Sequence, residues 1–376
     1  MRINKTQSIS ILAILALCFF VSCKTAEQTI NWGLTDFSRP QKAEPVLSPN
    51  EVSKFYCPMR KENIRWEESD TFNPAAVVKD DKIYILYRAE DNSATGIGKR
   101  TSRIGLAESK DGIAMIRKAE PVLFPNEDNM KIYDWPGGCE DPRVAQAEDG
   151  TFVMAYTSWN RKVPRLSIAT SKDLVSWEKH GPAFAKAYDG RFADIPSKSG
   201  SIVTELKNSK LVITKIEDRY LMYWGEHHIY AATSHDLINW DPVLDKNGEL
   251  KKLISPRDGF FDSALTECGP PAILTKDGIL LLYNGKNSKG DNRDTHYGAG
   301  AYCAGQILFD KNNPYNAVAR LDKPFFTPSA DFEKNGQYVD GTVFIEGLVY
   351  FKKQWFLYYG CADSKVGVAI LNPADI

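Results

Sequence analysis

The chain has 376 residues and a formal net charge of −1; 25% of the residues are charged and 43% are hydrophobic. This length can bury the core of one large domain or of two smaller ones. The balanced charge and the lack of a long basic stretch exclude a typical nucleic-acid-binding protein, because phosphate contacts need clustered cations.

The first residues have the pattern of an export signal. Arg2 and Lys5 precede an apolar stretch over 9–21, which falls short of the about 20 residues that a membrane-spanning helix needs. We therefore predict a signal peptide over residues 1–22.

Cys23 follows a serine at the end of this stretch and resembles the lipidated cysteine of bacterial lipoproteins. The resemblance predicts a lipid anchor on the periplasmic side of a bacterial membrane. Phe20 stands where such sites usually have leucine, so secretion or a cell-surface position is the alternative. Residues 23–50 are predicted to be an N-terminal linker or extension, and residues 51–376 the folded domain.

Five cysteines lie beyond Cys23, far apart and without a CxxC pair. Their odd number and spacing argue against a disulfide framework and against a zinc site. We predict small, mostly buried thiols, no metal site and no cofactor. These cysteines are Cys57, Cys139, Cys268, Cys303 and Cys361.

A unit of roughly 60 to 75 residues recurs five times along the chain. Each unit has an apolar-aromatic strand that ends in tyrosine, a polar loop, and a second strand of small residues. The predicted first strands are 82–87, 152–156, 220–223, 279–283 and 355–359. The predicted second strands are 104–107, 166–169, 229–232, 300–302 and 366–369.

Turn sequences recur with these strands. Three of the second strands run into Ser-x-Asp, beginning at Ser109, Ser171 and Ser234, and two of these continue to Trp177 and Trp240 at the same offset. Alternating apolar residues and Asp-Gly turns indicate strands throughout, and no long stretch after the signal has helical periodicity. Five such units predict an all-β fold, a five-bladed β-propeller with four antiparallel strands per blade. A β-sandwich is the alternative, but it would not explain five copies of one unit.

Residues 137–143, Gly-Gly-Cys-Glu-Asp-Pro-Arg, place two acids at a constrained turn. Pro142 fixes its own φ and pushes Asp141 toward extended geometry, while the glycines permit angles that other residues avoid. Such a turn can hold one carboxyl in a fixed pose while Arg143 forms an ion pair with its neighbour, as general acid catalysis requires. A surface turn with a salt-bridged acid is the simpler alternative.

Six segments together resemble glycoside hydrolase family 130, the mannoside phosphorylases and mannosidases, which have a five-bladed propeller fold. The segments occur in the family's order over nearly the whole chain after the signal. They are 72–74, 87–89, 138–143, 171–174 with Trp177, 269–271 and 358–363.

The resemblance implies that Asp141 is the catalytic acid, which passes its proton through a sugar hydroxyl to the glycosidic oxygen. It also implies that Asn73, Arg88, Lys198 and Asp363 bind the mannose. Asn73 and Arg88 offer donors suited to vicinal hydroxyls, and Asp363 offers an acceptor. The structural alternatives are a turn residue before a proline for Asn73 and a strand-edge salt bridge for Arg88.

The chain departs from the phosphorylases of this family where they bind inorganic phosphate. Asn284 stands in place of their histidine, and Glu226 and Glu267 stand where they present cationic or small groups. Two carboxylates would repel a phosphate dianion, but they could orient and deprotonate a water. We therefore expect Glu226 and Glu267 to be catalytic, one as the base and the other as its support.

Arg143, Asn284, His227 and His228 are further candidates for substrate binding. The two histidines are adjacent, so on a strand they would point to opposite faces and one of them could reach the sugar. Three tryptophans are candidate sugar-stacking platforms or, equally, packing residues: Trp135, Trp159 and Trp224.

The resemblance and the departures together predict an inverting, exo-acting β-mannosidase that acts on β-linked manno-oligosaccharides, with β-1,2 linkages expected. One alternative is a β-mannoside phosphorylase that releases mannose 1-phosphate. Another is a carbohydrate-binding propeller without catalysis. The export signal favours hydrolysis, because a sugar phosphate is useful mainly in the cytoplasm.

Overall fold

The computed structural model describes residues 31–372, which form an all-β structure of mainly antiparallel strands. The predicted signal peptide over 1–22 and the predicted lipidation site Cys23 lie outside the described residues. Within residues 31–372, no helix has the length and the apolar character needed to cross a membrane.

Most strands fall into five antiparallel groups, here called meanders 1 to 5, each built from strands that follow one another along the chain. A hairpin precedes them, β1 (Phe55–Cys57) and β2 (Glu62–Ile64). Meander 1 contains β3 (Asp70–Lys79), β4 (Lys82–Glu90), β5 (Ser102–Ser109) and β6 (Ile116–Arg117). A short helix, α1 (Lys131–Asp134), leads to meander 2, which contains β7 (Gly138–Gln146), β8 (Phe152–Trp159), β9 (Pro164–Ser171) and β10 (Glu178–Pro182).

Meander 3 follows a short 3₁₀ turn (Ala187–Gly190) and is the most irregular of the five. It contains β11 (Ser201–Ile202), β12 (Thr204–Lys207), β13 (Lys210–Ile213), β14 (Lys215–Ile216), β15 (Arg219–Trp224), β16 (Tyr230–Ser234) and β17 (Asp241–Pro242). Within it, the β12–β13 hairpin pairs in parallel with β19 and β7 of the neighbouring meanders.

Meanders 4 and 5 complete the described chain. Meander 4 contains β18 (Leu265–Cys268), β19 (Ile273–Leu274), β20 (Ile279–Lys286), β21 (Tyr302–Asp310) and β22 (Asn313–Arg320). After a 3₁₀ turn (Asp331–Glu333), meander 5 contains β23 (Val343–Phe351), β24 (Gln354–Cys361) and β25 (Lys365–Leu371). All five predicted first strands are confirmed, as β4, β8, β15, β20 and β24. The predicted second strand over 300–302 is wrong, because β21 only begins at Tyr302.

The hydrophobic core is divided among the junctions between meanders. Four large clusters of buried apolar side chains join meander 1 to 2, 2 to 3, 3 to 4 and 4 to 5. A fifth joins the last meander to the first, where Val349 and Phe356 pack with Ile83 and Ile85. Each meander therefore buries apolar side chains on both of its faces, as expected for strands that have apolar residues at successive positions.

The segment before the first hairpin packs along the last strand of the chain. Phe37 and Leu47 are buried, and Leu47 forms a backbone bridge with Val366 of β25. The described part of the predicted linker over 23–50 is thus packed against meander 5 rather than loosely connected.

The recurring tyrosine of the sequence repeat has a structural role in three of the meanders. In each, the tyrosine lies directly opposite a glycine in the next strand along the chain, and its ring covers the space that a side chain would occupy. The pairs are Tyr87–Gly105, Tyr283–Gly305 and Tyr359–Gly367.

The hydroxyl of each of these tyrosines donates a hydrogen bond to a buried acid, and an arginine pairs with that acid. The three bonds are Tyr87–Glu67 at 2.8 Å, Tyr283–Asp262 at 2.5 Å and Tyr359–Glu333 at 2.8 Å. The partner arginines are Arg117, Arg320 and Arg39, respectively. Each acid is completely buried, so these bonds satisfy charges that would otherwise be costly inside the protein.

The Ser-x-Asp sequences form the same turn in three meanders. In each, the serine Oγ accepts a backbone N–H bond three residues on, and the aspartate carboxylate accepts two further N–H bonds. The sequence repeat is therefore a turn motif, in which short polar side chains satisfy the backbone. The five predicted thiols are also confirmed as buried and free.

We expect Gly305→Ala to lower the free energy of unfolding by about 1–3 kcal/mol, the range for an overpacked core. A Cβ at this position would lie 2.5 Å from the Tyr283 ring, which is fully buried and held by its bond to Asp262. The matched control is Gly290→Ala, where the nearest atoms are 3.4 Å away in an exposed loop. Urea denaturation checks this expectation, and equal midpoints for the two variants would contradict it.

Candidate active site

A cavity of about 250 Å³ receives side chains from all five meanders. Its lining combines polar and charged groups with a few aromatic rings. The lining residues are Asn73, Arg88, Ile97, Gly98, Glu140, Asp141, Trp159, Pro164, Lys198, Glu226, Glu267, Tyr302, Tyr338, Phe344 and Asp363.

Seven of the eleven predicted site residues line this cavity, although they are scattered over most of the chain. They are Asn73, Arg88, Asp141, Lys198, Glu226, Glu267 and Asp363. The other four, Arg143, Asn284, His227 and His228, do not line it.

β-Bulges direct two of these side chains into the cavity. The pairing register shifts at Asn73 in β3 and at Asp141 and Pro142 in β7, so these residues have no partner on the next strand. Both Asn73 and Asp141 have left-handed backbones, with φ of 48° and 50°. Bulges commonly re-aim a side chain next to an active site. The prediction of extended geometry at Asp141 is thus wrong, because the bulge rather than Pro142 decides its conformation.

Asp141 accepts two hydrogen bonds from the residues predicted to accompany it. Its Oδ1 atom accepts from Asn73 Nδ2 at 2.9 Å and from Arg88 Nη1 at 3.1 Å. Its Oδ2 atom lies 4.0 Å from Lys198 Nζ. The carboxylate is therefore fixed in place by a neutral donor and two cations.

Arg88 is shared among three buried carboxyl groups. Besides Asp141, its guanidinium donates to Glu140 Oε1 at 2.8 Å and to Glu90 Oε1 at 2.6 Å. The guanidinium carbon also lies 4.7 Å from the centre of the Phe72 ring. Burial disfavours the charge on Arg88, but the three acids outweigh it and raise the pKa of Arg88 well above its usual value.

The adjacent acids Glu140 and Asp141 have pKa values that are shifted in opposite directions. Burial raises the pKa of Glu140 to about 7, against the opposing effect of Arg88. Burial also acts on Asp141, but Arg88, Lys198 and Arg143 outweigh it, and its pKa is lowered to about 2. In the free protein Asp141 is thus an ionised hydrogen-bond acceptor, and Glu140 is the acid of the pair that takes up a proton more readily.

Glu267 and Glu226 approach the cavity from meander 4 and from the turn between β15 and β16. Ser199 Oγ donates a short hydrogen bond to Glu267 Oε1. Burial and the nearby charge of Glu226 raise the pKa of Glu267 to about 7, although Lys198 opposes the shift. Glu226 is exposed, whereas Glu267 is buried.

Lys198 is a cation of the cavity whose pKa responds to both sets of acids. Burial disfavours its charge, but Glu226 and Glu267 on one side and Asp141 and Glu140 on the other raise its pKa above the usual lysine value. Lys198 is therefore a permanent cation in the cavity.

Asp363 is the fifth acid of the cavity and comes from the turn after β24. Burial raises its pKa to about 7, and the charge of Asp141 acts in the same direction. Its backbone is left-handed, with φ of 51°. Asp363 is therefore half-protonated near neutral pH and can donate as well as accept a hydrogen bond.

Arg143 serves the fold beneath the cavity rather than the cavity itself. It donates to the carbonyls of Asp141, Cys268 and Gly269, and its Nη2 atom lies 2.9 Å from Glu346 Oε1. The predicted ion pair between Arg143 and its neighbouring acid is wrong, because Arg88 occupies that role.

The other three candidates also lie away from the cavity lining. Asn284 is buried and bonds to the backbone N–H and C=O of Ile345, which explains an amide at this position. His227 and His228 are in a turn, not on a strand, since His227 has a φ of 67°. His227 is exposed, and the ring of His228 lies 3.0 Å from Ser255 Oγ.

The three candidate tryptophans have different surroundings. Trp159 lines the cavity and donates from its Nε1 to Gly98 O at 3.0 Å. Trp224 is buried and stacks with Tyr230, and Trp135 lies against Lys131. Sequence reasoning did not select Tyr302, Tyr338 and Phe344, the other aromatic side chains of the lining. Only Tyr302 had a signal, as the last residue of a predicted strand.

Comparisons with known proteins give one consistent family. A family model of glycoside hydrolase family 130, described as beta-1,4-mannooligosaccharide phosphorylase, matches residues 39–376. The chain is 33% identical to 1,2-beta-oligomannan phosphorylase of Thermoanaerobacter sp., over 85% of this chain and 95% of that protein.

Two solved structures are more similar in sequence. One is a glycosyl hydrolase from Bacteroides ovatus, 58% identical, with a TM-score of 0.89 and coverage of 92% of this chain and 96% of that chain. The other is described by the finding that the GH130 family of mannoside phosphorylases contains glycoside hydrolases that target β-1,2 mannosidic linkages in Candida mannan. It is 60% identical, with a TM-score of 0.90 and coverage of 92% and 96% of the two chains.

We expect the protein to melt a few degrees lower at about pH 8 than at about pH 5.5. Glu140, Glu267 and Asp363 have pKa values of about 7 in the folded state, whereas unfolded carboxyls titrate near 4. Between these values the folded state binds more protons, so stability falls as the pH rises. The low pKa of Asp141 contributes stability that is lost only in stronger acid, below this window.

Differential scanning calorimetry at the two pH values checks this expectation. Asp363→Asn should weaken the pH dependence, because it removes one of the three groups whose pKa is raised to about 7. Asp322→Asn is the control, since the Asp322 side chain is 78% exposed. A melting temperature that rises from about pH 5.5 to about pH 8 would contradict the expectation.

Proposed function

The chain belongs to glycoside hydrolase family 130, and on that premise we propose that it is an inverting, exo-acting β-mannosidase that releases mannose from β-1,2-linked manno-oligosaccharides. We also propose that the five meanders are the blades of a five-bladed β-propeller. The cluster that joins meander 5 to meander 1 supports this arrangement, because in a propeller every blade packs against two neighbours.

The charge of the cavity is the observation that carries the choice of hydrolysis. Five carboxyl groups line it, Glu140, Asp141, Glu226, Glu267 and Asp363, against the two cations Arg88 and Lys198. Two like unit charges about 4 Å apart repel by about 4 kcal/mol at an effective dielectric constant of about 20. A phosphate dianion would meet this repulsion from each ionised carboxyl group, whereas a neutral water would not; Glu140, Glu267 and Asp363, with pKa values of about 7, are only partly ionised near neutral pH.

Both cations are already engaged by the protein's own acids. Arg88 bonds to Asp141, Glu140 and Glu90, and Lys198 Nζ lies 4.0 Å from Asp141 Oδ2, with its charge stabilised also by Glu226 and Glu267. A phosphate would have to displace the carboxylates that are bonded to Arg88 before it could bind that cation. This competition further favours water as the nucleophile.

In the proposed reaction, water attacks the anomeric carbon while the glycosidic bond breaks. Glu226 or Glu267 accepts a proton from the water. Asp141, once protonated, gives its proton to a sugar hydroxyl, and that hydroxyl passes its own proton to the leaving glycosidic oxygen. Glu267 is the better candidate for the base, because a pKa of about 7 suits proton transfer near neutral pH. Attack by water opposite the leaving group inverts the configuration.

Asp141 must take up a proton before it can act as an acid, because its pKa is about 2 in the free protein. We propose that the sugar supplies the change. A bound ring excludes water from a carboxyl and thereby raises its pKa. Glu140, which shares Arg88 with Asp141, is a nearby source of that proton.

A β-mannoside phosphorylase is the second candidate. It is favoured by the curated relative at 33% identity, which is named as a phosphorylase. A carbohydrate-binding propeller without catalysis is the third, and it leaves the raised pKa of Glu267 without a use. For location, we propose a lipid anchor at Cys23 and a periplasmic position, supported by the export-signal pattern.

We expect the purified protein to release free mannose from β-1,2-mannobiose in buffer without phosphate. The expected product is mannose because water, not phosphate, fits the acidic cavity. Ion chromatography of reactions with and without about 10 mM phosphate checks this, with β-1,4-mannobiose as the linkage control. Mannose 1-phosphate as the main product, formed only with phosphate, would establish the phosphorylase instead.

We expect Asp141→Asn and Glu267→Gln each to lower kcat by about 100-fold to 10,000-fold, the range for loss of a general acid or base. Both changes keep the size of the side chain but remove its ability to donate or accept a proton in the reaction. Circular dichroism should show an unchanged fold, and Glu205→Gln, on a partly exposed strand outside the cavity, is the matched control. Full turnover by Asp141→Asn would remove Asp141 from the mechanism.

A further inference from the structure

A second cavity of about 280 Å³ lies at the outer side of meander 2. It is comparable in size to the catalytic cavity, and none of its lining residues belongs to that site. One wall is the segment 122–130, which pairs with β5 through Leu123. The other wall contains Trp177 and Lys179, where the chain enters β10.

Trp177 differs from its counterpart in the sequence repeat. Trp177 and Trp240 follow the same Ser-x-Asp turn, and each donates from its Nε1 to the carbonyl three residues before it. Trp240 is only 1% exposed, because Phe184 and Phe192 pack in the same cluster. Trp177 is only partly buried and borders the cavity. The repeat thus has one copy of this indole that is fully buried and one that is only partly buried.

A lysine with a largely buried side chain lines the cavity. The Lys179 side chain is 8% exposed, and its Nζ lies 2.6 Å from Asp134 Oδ2 and 3.2 Å from Asp128 Oδ2. An ammonium group has three protons, so the two carboxylates leave one donor for a ligand. Two acids against one cation make this floor unsuitable for an anionic ligand.

We propose that this cavity is a second saccharide-binding site, which holds a sugar unit of the mannoside polymer away from the catalytic cavity. The proposal rests on the proposed function for its choice of sugar. An indole face beside polar groups suits a neutral pyranose, whose C–H face packs on the ring while its hydroxyls bond at the edge. Lys179 offers the donor, Asp128 the acceptor, and Asn129 an amide at the rim.

Such a site would act on long substrates only. A chain held at meander 2 raises the local concentration of its free ends near the protein without changing the chemistry. We therefore expect Trp177→Ala to raise the KM for Candida mannan at least fivefold and to leave kcat and KM for β-1,2-mannobiose unchanged.

The direct test is binding to the full chain with Asp141→Asn as the background, so that turnover is slow. Affinity electrophoresis in gels that contain Candida mannan should show retardation, reduced at least fivefold in affinity by Trp177→Ala and by Asn129→Ala. Asn129 is exposed, so its variant tests the site even where loss of Trp177 disturbs the fold. The control is Tyr56→Ala, which removes a 57% exposed aromatic ring elsewhere.

Retardation that is equal in all four proteins would overturn the second site, whatever the protein hydrolyses. Loss of retardation in the Trp177 and Asn129 variants would support the site, even where wild type fails to hydrolyse mannobiose. Failure of the proposed reaction and failure of this site are thus separate outcomes.

Discussion

The buried guanidinium of Arg88 is the interaction on which the candidate site depends. It bonds to Asp141, Glu140 and Glu90, three largely buried carboxyl groups. Removing such a partner would leave buried charges unpaired, at a cost of several kcal/mol. Burial raises the pKa values of three acids of the cavity, Glu140, Glu267 and Asp363, to about 7.

The strands supply this site through local irregularity rather than through regular pairing. Bulges at Asn73 and Asp141 turn side chains toward the cavity. A third bulge, in β23, leaves Glu346 without a partner residue on β24, and its carboxylate forms an ion pair with Arg143. The regular parts of the same strands bury apolar side chains between meanders. One strand therefore carries both packing and chemistry, separated along its length.

Much of this arrangement could be predicted from the sequence. Repeated motifs gave the strands and the turns, and family-like segments brought Asn73, Arg88 and Asp141 together. The partner of Arg143 could not be predicted, because Glu346 is distant in sequence and belongs to no motif. The turn at His227 could not be predicted for a different reason, because a left-handed φ at a non-glycine residue cannot be recognised from the sequence. Protonation of the acids depends on burial, which only the fold determines.

The division of the core among junctions has a consequence for how the protein tolerates damage. Each meander contributes to two clusters, and the last cluster joins the chain's end to its beginning through Leu47 and Val366. No meander can separate without exposing apolar surface on both of its neighbours. The cooperative unit of unfolding is then the whole set of meanders. A chain that lacks one meander would expose two apolar faces and aggregate rather than fold as a smaller protein.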